Sequence, residues 1–137
     1  MATHLPRPNP DTQPFWDACS RHELRLQLCD GCGAFRFYPG PLCPSCGSAD
    51  HHWQPLSGRG EVYSYVIVRR AMSPAFADDV PYAVALIELD GTGGIRLPAR
   101  LVECAVEDVS IGMAVDVRFD VASDEITLPV FTPIVED

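Results

Sequence analysis

Four cysteines carry the clearest chemistry in the chain. Cys29 and Cys32 form one pair, and Cys43 and Cys46 form another after ten intervening residues. Two C-x-x-C pairs joined by a short loop are a metal-site signature. Each pair makes a tight turn that aims two sulfurs at one point, and the loop brings the second turn opposite the first. Gly31, Gly33 and Gly47 fall in or beside these turns, where glycine accepts positive φ without steric cost. Four thiolates in a tetrahedron favour zinc over iron. A shell of four cysteines leaves no position for water or substrate, so the ion is expected to be structural. Two disulfides could use the same residues, but the paired spacing fits a metal better and nothing in the chain suggests secretion.

Other reactive residues offer less. Cys19 and Cys104 lie outside the metal motif; a nucleophilic cysteine needs a base beside it, and free cysteine more often behaves as a small buried hydrophobe. His51 and His52 follow the second cysteine pair, but the four sulfurs already fill the shell. His4 and His22 are isolated and expected at the surface. Gly91, Gly93 and Gly94 follow one strand and precede another, which is the wrong context for a nucleotide-binding loop. Tyr63, Tyr65 and Arg69 share a strand face by parity. Such a row can stack bases, although packing in the core or between modules is the preferred reading in so acidic a chain. Arg69-Arg70 suits an isolated phosphate or an acidic partner.

The net charge is −9 over 137 residues, and all ten basic residues are arginine. Affinity for phosphate backbones and anionic membranes comes from basic contacts, so nucleic acid and membrane are poor candidate partners. No apolar run reaches the length of a membrane span, and Met1 to Asp11 lacks the apolar core of a signal peptide. A cytoplasmic location with reduced cysteines is expected.

The elements that must position the cysteines are short. Thirteen prolines and ten glycines favour turns over long helices. Residues 1–11, with Pro6, Pro8 and Pro10, read as an extended arm. A short helix follows, capped by Thr12 or Gln13 and running to about His22, with Pro14 in its first turn and Phe15 and Cys19 on one face. Leu24, Leu26 and Leu28 alternate with polar residues as a strand, and Phe35 and Phe37 alternate on the return, so that the first cysteine turn tips a hairpin. Residues 12–57 thus form a helix and zinc ribbon, and Pro55 to Gly60 is the joint.

Residues 58–137 read as all β. Strands are expected at Glu61–Arg69, Tyr82–Leu89, Ile95–Glu103, Val115–Val121 and Ile126–Ile134, with Ala71–Pro81 as a loop. The continuous apolar run of Tyr82–Leu89 suggests a strand buried on both sides, and Pro98 demands an edge or a bulge. Five short strands with turns between them suit an OB-type barrel. The fold class is therefore mainly β: an N-terminal helix and rubredoxin-like zinc ribbon, then a five-stranded OB-fold barrel. The arm and helix are expected to expose Phe15 and Trp16, and the ribbon Phe35, Phe37 and Tyr38. That is more aromatic surface than a module of about 45 residues can bury around its own core.

The succession of a PFW helix, a Cys₄ ribbon, SGRGEVYSYVIV, PYAVALIEL, EDVSIGMAVDVRF and LPVFTP resembles a bacterial and archaeal family known only as a domain of unknown function. Its members pair a rubredoxin-like zinc ribbon with a C-terminal OB fold, and the resemblance runs from about Thr12 to Pro133. It implies a non-catalytic helper in acyl-CoA chemistry. Such a helper joins a thiolase-like enzyme of the lipid-transfer-protein type in a hetero-oligomer, as in thiolase–synthase assemblies or steroid side-chain retro-aldolases. It completes or stabilises an acyl-CoA site whose catalytic residues lie on the partner, so a coenzyme A thioester is shared between them. The metal ligands carry over to Cys29, Cys32, Cys43 and Cys46, and no CoA contact carries over residue by residue. Phe15, Trp16, Phe35, Phe37, Tyr38, Arg69 and Arg70 are the candidate interface residues. The chain departs from the family at Leu97-Pro98-Ala99. A single-stranded nucleic-acid-binding OB module is the alternative, and a free-standing cysteine enzyme the third reading.

Overall fold

A computed structural model describes residues 6–70 and 80–134. The loop expected at 71–81 lies mostly outside the described residues, as do the first five residues of the arm.

The arm leads into a turn that starts the helix. Asn9 Oδ1 accepts the N–H groups of Asp11 and Thr12, and Asn9 N–H donates to Thr12 Oγ1. These bonds order the turn that leads into the helix, while Thr12 at the N-cap position makes no side-chain cap bond. The helix α1 spans Gln13–Ser20. Its apolar face holds Phe15, Trp16, Ala18 and Cys19, all buried.

Three strands form the ribbon sheet in the order β2-β1-β3: β1 (Arg25–Cys29), β2 (Phe35–Arg36) and β3 (His51–Pro55). Local pattern did not reveal β3, because His51-His52-Trp53 shows no alternation of apolar and polar residues. Pairing of Cys29 with His51 and Arg25 with Pro55 makes it a strand.

Five strands close the barrel: β4 (Arg59–Val68), β5 (Tyr82–Leu89), β6 (Arg96–Leu101), β7 (Ala114–Val121) and β8 (Thr127–Pro133). Their order, β4-β5-β6-β8-β7, closes through β4 and β7, as in an OB fold. Gly60 permits that closure. A Cβ there would lie 2.5 Å from the Glu88 carbonyl oxygen and 2.8 Å from Ile87 Cγ2. Pro98 sits where β6 has one full neighbour. Its partner across β5 is Leu86, and β6 meets β8 only at Leu101, so the missing N–H interrupts no second ladder.

One core joins both modules. Phe15, Trp16, Cys19, Leu24 and Leu26 pack in the same cluster as Val62, Ile87, Leu97, Val115 and Phe131. The helix packs on β1, β7 and β8, so it bridges ribbon and barrel.

Three expectations change. Phe15 and Trp16, expected on the surface, are 1% and 7% exposed. The barrel end supplies the burial that the ribbon alone could not. Tyr82–Leu89 is fully buried on one face only; Tyr82, Val84, Leu86 and Glu88 on the other are half-buried. The expected row of Tyr63 and Tyr65 is broken by a bulge between Val62 and Ser64. The ladder skips Tyr63, whereas Tyr65 pairs opposite buried Ala85, and both tyrosines keep exposed rings.

Candidate metal centre and surface sites

The two cysteine turns are built alike. Gly33 N–H donates to the Cys29 carbonyl and Gly47 N–H to the Cys43 carbonyl, at 2.9 and 2.8 Å. Both glycines have positive φ, 77° and 78°, which favours glycine at these positions. The Sγ atoms of Cys29 and Cys46 are 3.6 Å apart, and those of Cys32 and Cys43 are 3.7 Å apart. All four sulfurs fall within 4.8 Å of one another. A tetrahedron with metal–sulfur bonds of about 2.3 Å has sulfurs about 3.8 Å apart. The cluster therefore fits a zinc-sized ion.

Protonation points the same way. Backbone N–H groups of Cys46 and Ser45 bring the Cys43 thiol down to about 6, and those of Cys32 and Gly31 lower Cys29. At Cys46 the Ser48 N–H also lowers the thiol, but the sulfurs of Cys29 and Cys32 outweigh it and push Cys46 up to about 12. Four thiols this close cannot all ionise unaided, and a divalent cation at their centre removes that conflict.

His51 and His52 stay out of this cluster. His52 Nδ1 lies 2.7 Å from Asp30 Oδ1, and this carboxylate raises its pKa. His51 Nε2 faces Gln27 Nε2 at 3.2 Å.

Two buried polar residues gave no clear signal in the sequence. Gln27 and Arg36 hold the polar positions of the strand alternation, yet both are buried. They form a cross-strand pair on the ribbon sheet, and the guanidinium-bearing residue is only 4% exposed. Gln27 Oε1 accepts the Gly40 N–H and Arg36 Nη1 donates to the Gly40 carbonyl. The Pro39-Gly40-Pro41 turn is thus gripped through both polar backbone groups of its glycine. Arg36 Nε and Nη2 and Trp16 Nε1 are buried without a partner among the described residues. The only sequence signal was the turn itself, four residues beyond Arg36.

The remaining candidates separate. Phe37 packs on Phe15, with ring centroids 5.7 Å apart, and on Tyr38. Phe35 and Phe37 are half-buried, and Tyr38 is exposed. Arg69 and Arg70 are exposed at the end of β4. Burial pushes the Cys19 thiol up to about 12, and burial and Asp108 raise Cys104. Neither thiol hydrogen-bonds to a base among the described residues; Cys104 Sγ donates to the Ala105 carbonyl. A polar recess of about 420 Å³ opens between β4, β7 and β8, lined by Arg59 and Arg118 alongside Glu103 and Asp116. Among the described residues no helix is long and apolar enough to cross a membrane.

Comparison with known proteins agrees with this architecture. Residues 16–52 match the family described as the ChsH2 rubredoxin-like zinc ribbon domain, and residues 53–120 match the ChsH2 C-terminal OB-fold domain. A probable enoyl-CoA hydratase alpha subunit of Thermomonospora curvata is 42% identical over 132 residues. The match covers 95% of this chain but 40% of that protein. A DUF35 domain-containing scaffold protein of Methanocaldococcus jannaschii is 38% identical over 92 residues, covering 66% of this chain and 63% of the scaffold protein. The chain thus spans less than two thirds of either relative. A solved structure described as an Ltp2-ChsH2(DUF35) aldolase contains a similar chain, at 41% identity and a TM-score of 0.85. That match covers 96% of this chain and all of the other. The chain therefore belongs to the DUF35 family, as a ChsH2-type zinc ribbon joined to an OB-fold domain.

Proposed function

We propose that this chain is a non-catalytic, zinc-stabilised partner subunit of a thiolase-like enzyme of the lipid-transfer-protein type, and that it completes or stabilises the partner's acyl-CoA site. One observation carries the reading: the full-length likeness to the ChsH2(DUF35) chain of an Ltp2 aldolase. The names of the relatives, a hydratase subunit and a scaffold protein, suit an accessory part. The chemistry of the chain agrees. Four cysteines that enclose an ion leave it no open coordination position for substrate. Cys19 is too deeply buried and too weakly acidic to serve as a nucleophile at neutral pH. Tyr38, Arg69 and Arg70 are exposed candidates for partner contact; Phe15 and Trp16 belong to the internal core.

Co-expression with a thiolase-like protein of the same source, followed by size-exclusion chromatography and acyl-CoA assays, tests the proposal. A stable complex is expected, with turnover in the complex and none in the isolated chain. A monomer that ignores the partner at micromolar concentration, or turnover by the pure chain, overturns it.

Single-stranded nucleic-acid binding is the rival reading, and exposed Tyr63 and Tyr65 are its support. The bulge that separates them in register and the net charge of −9 weigh against it. A fluorescence titration with single-stranded DNA distinguishes the two.

A further inference from the structure

We infer that the two cysteine turns are also a site of oxidation by hydrogen peroxide. Cys46 and Cys32 are the attacking thiolates, and Cys29 and Cys43 resolve them into two disulfides that run between the turns. This stands apart from the partner-subunit reading above and rests on the metal centre alone.

Three observations support the assignment. The first is access. Cys32 and Cys46 are exposed, whereas Cys29 and Cys43 are 2% and 3% exposed. Each turn therefore keeps one sulfur-bearing residue inside and presents the other to solvent. Oxidation selects accessible thiolates that stand beside a second cysteine. Cys19, by contrast, is sealed in the core.

The second is pairing. Cys46 Sγ lies 3.6 Å from Cys29 Sγ, and Cys32 Sγ lies 3.7 Å from Cys43 Sγ. Each contact joins the exposed cysteine of one turn to the buried cysteine of the other, and every cysteine is used once. Closing by about 1.6 Å brings either pair to the bond length of a disulfide. Sequence spacing alone would pair each C-x-x-C within its own turn, but these contacts cross from turn to turn.

The third is the backbone that sets the turns opposite each other. Asp30 N–H donates to the Asp50 carbonyl at 2.9 Å, which ties the first turn to the segment leaving the second. A Cβ at Gly31 would lie 3.2 Å from Ser48 Cβ and 3.5 Å from Cys46 Sγ, so the first turn packs directly on the second.

The Cys46 thiolate attacks one oxygen of the peroxide. The O–O bond breaks, hydroxide leaves, and Cys46 becomes a sulfenic acid. The Cys29 thiolate then attacks the Cys46 sulfur; the S–O bond breaks, a second hydroxide leaves, and the S–S bond forms. Two sulfurs give up two electrons, and one peroxide takes them. Cys32 and Cys43 repeat the sequence with a second peroxide. Disulfide sulfurs are no longer the thiolates that a zinc ion requires, so the site gives up its metal. A thiol reductant restores the four ligands by exchange.

The test uses the full zinc-loaded chain, with its metal content measured first. Excess hydrogen peroxide is expected to release about one zinc per chain, read with a chromogenic chelator. Trypsin cuts after Arg36, between the turns. Without reduction, disulfides between the turns hold the two peptides together, whereas disulfides within each turn let them part. Mass spectrometry with fragmentation is expected to show Cys29–Cys46 and Cys32–Cys43. Dithiothreitol with added zinc should restore the metal, and Cys104→Ser should release zinc at the wild-type rate. Zinc that stays bound in excess peroxide overturns the inference. So do peptides that part, sulfonic acids formed in place of disulfides, and loss of zinc release in Cys104→Ser. A chain isolated without zinc removes the metal centre and this inference with it, while the partner-subunit reading stands.

Discussion

The Sγ atoms of Cys29 and Cys46 stand 3.6 Å apart although the two residues lie 17 positions apart in sequence. Contact at that range between opposite turns is what a shared ion requires. The expected outcome is about one zinc per chain in metal analysis. Cys32→Ser should lose the metal, and a strong chelator should unfold the ribbon. Metal-free protein with an unchanged fold would contradict this.

Trp16 is a core residue rather than a surface anchor. Its ring meets Phe15 edge-on with centroids 4.9 Å apart. Trp16→Ala should cost about 3–5 kcal/mol of stability, as buried aromatic truncations do. Trp16→Phe should cost much less, because it also removes the indole N–H that is buried without a partner among the described residues. Chemical denaturation of the two variants measures both effects, and equal losses would disprove the account of the indole N–H.

Gly60 is required where β4 runs between β5 and β7. Gly60→Ala forces a methyl against the Glu88 carbonyl and the Ile87 side chain, an overpacking that costs about 1–3 kcal/mol. Gly40→Ala is the control, since among the described residues nothing beyond its own chain neighbours lies within 4 Å of the place its methyl would occupy; a change within about 0.5 kcal/mol is expected there. Thermal unfolding of the pair decides it.

Glu23 links the helix end to β1. Arg25, and next Arg21, bond its carboxylate at 2.6 and 3.1 Å and hold it below the usual 4.5. A carboxyl whose folded pKa is depressed stabilises the fold above its unfolded value, and that contribution is lost as pH falls through the folded one. The effect is small and salt-sensitive because the group is exposed. In an NMR titration Glu23 should titrate below 4.5, and Arg25→Met should move it upward. An unmoved midpoint would assign the shift to something other than Arg25.

Local pattern determined much of this protein by itself. The spacing of Cys29, Cys32, Cys43 and Cys46 encodes two turns that can close only on each other. Alternation at Leu24–Leu28 and from Val115 onward encodes strands, because side chains in a strand reverse at every residue. The order of parts carried the family. What the tertiary structure decided was which faces are covered. Phe15 and Trp16 looked exposed because the ribbon is too small to bury them, but the barrel end completes their core. Tyr63 and Tyr65 shared a face by parity until one bulged residue broke the register. Val121 continues the β7 alternation yet emerges into solvent, and Phe119 before it is covered by the His22 imidazole, stacked 5.3 Å away. Gln27 and Arg36 turned inward because the Gly40 backbone, distant from Gln27 in sequence, offers them hydrogen bonds. Periodicity reports the faces of one element; burial depends on what packs against it, and that is a property of long-range contacts.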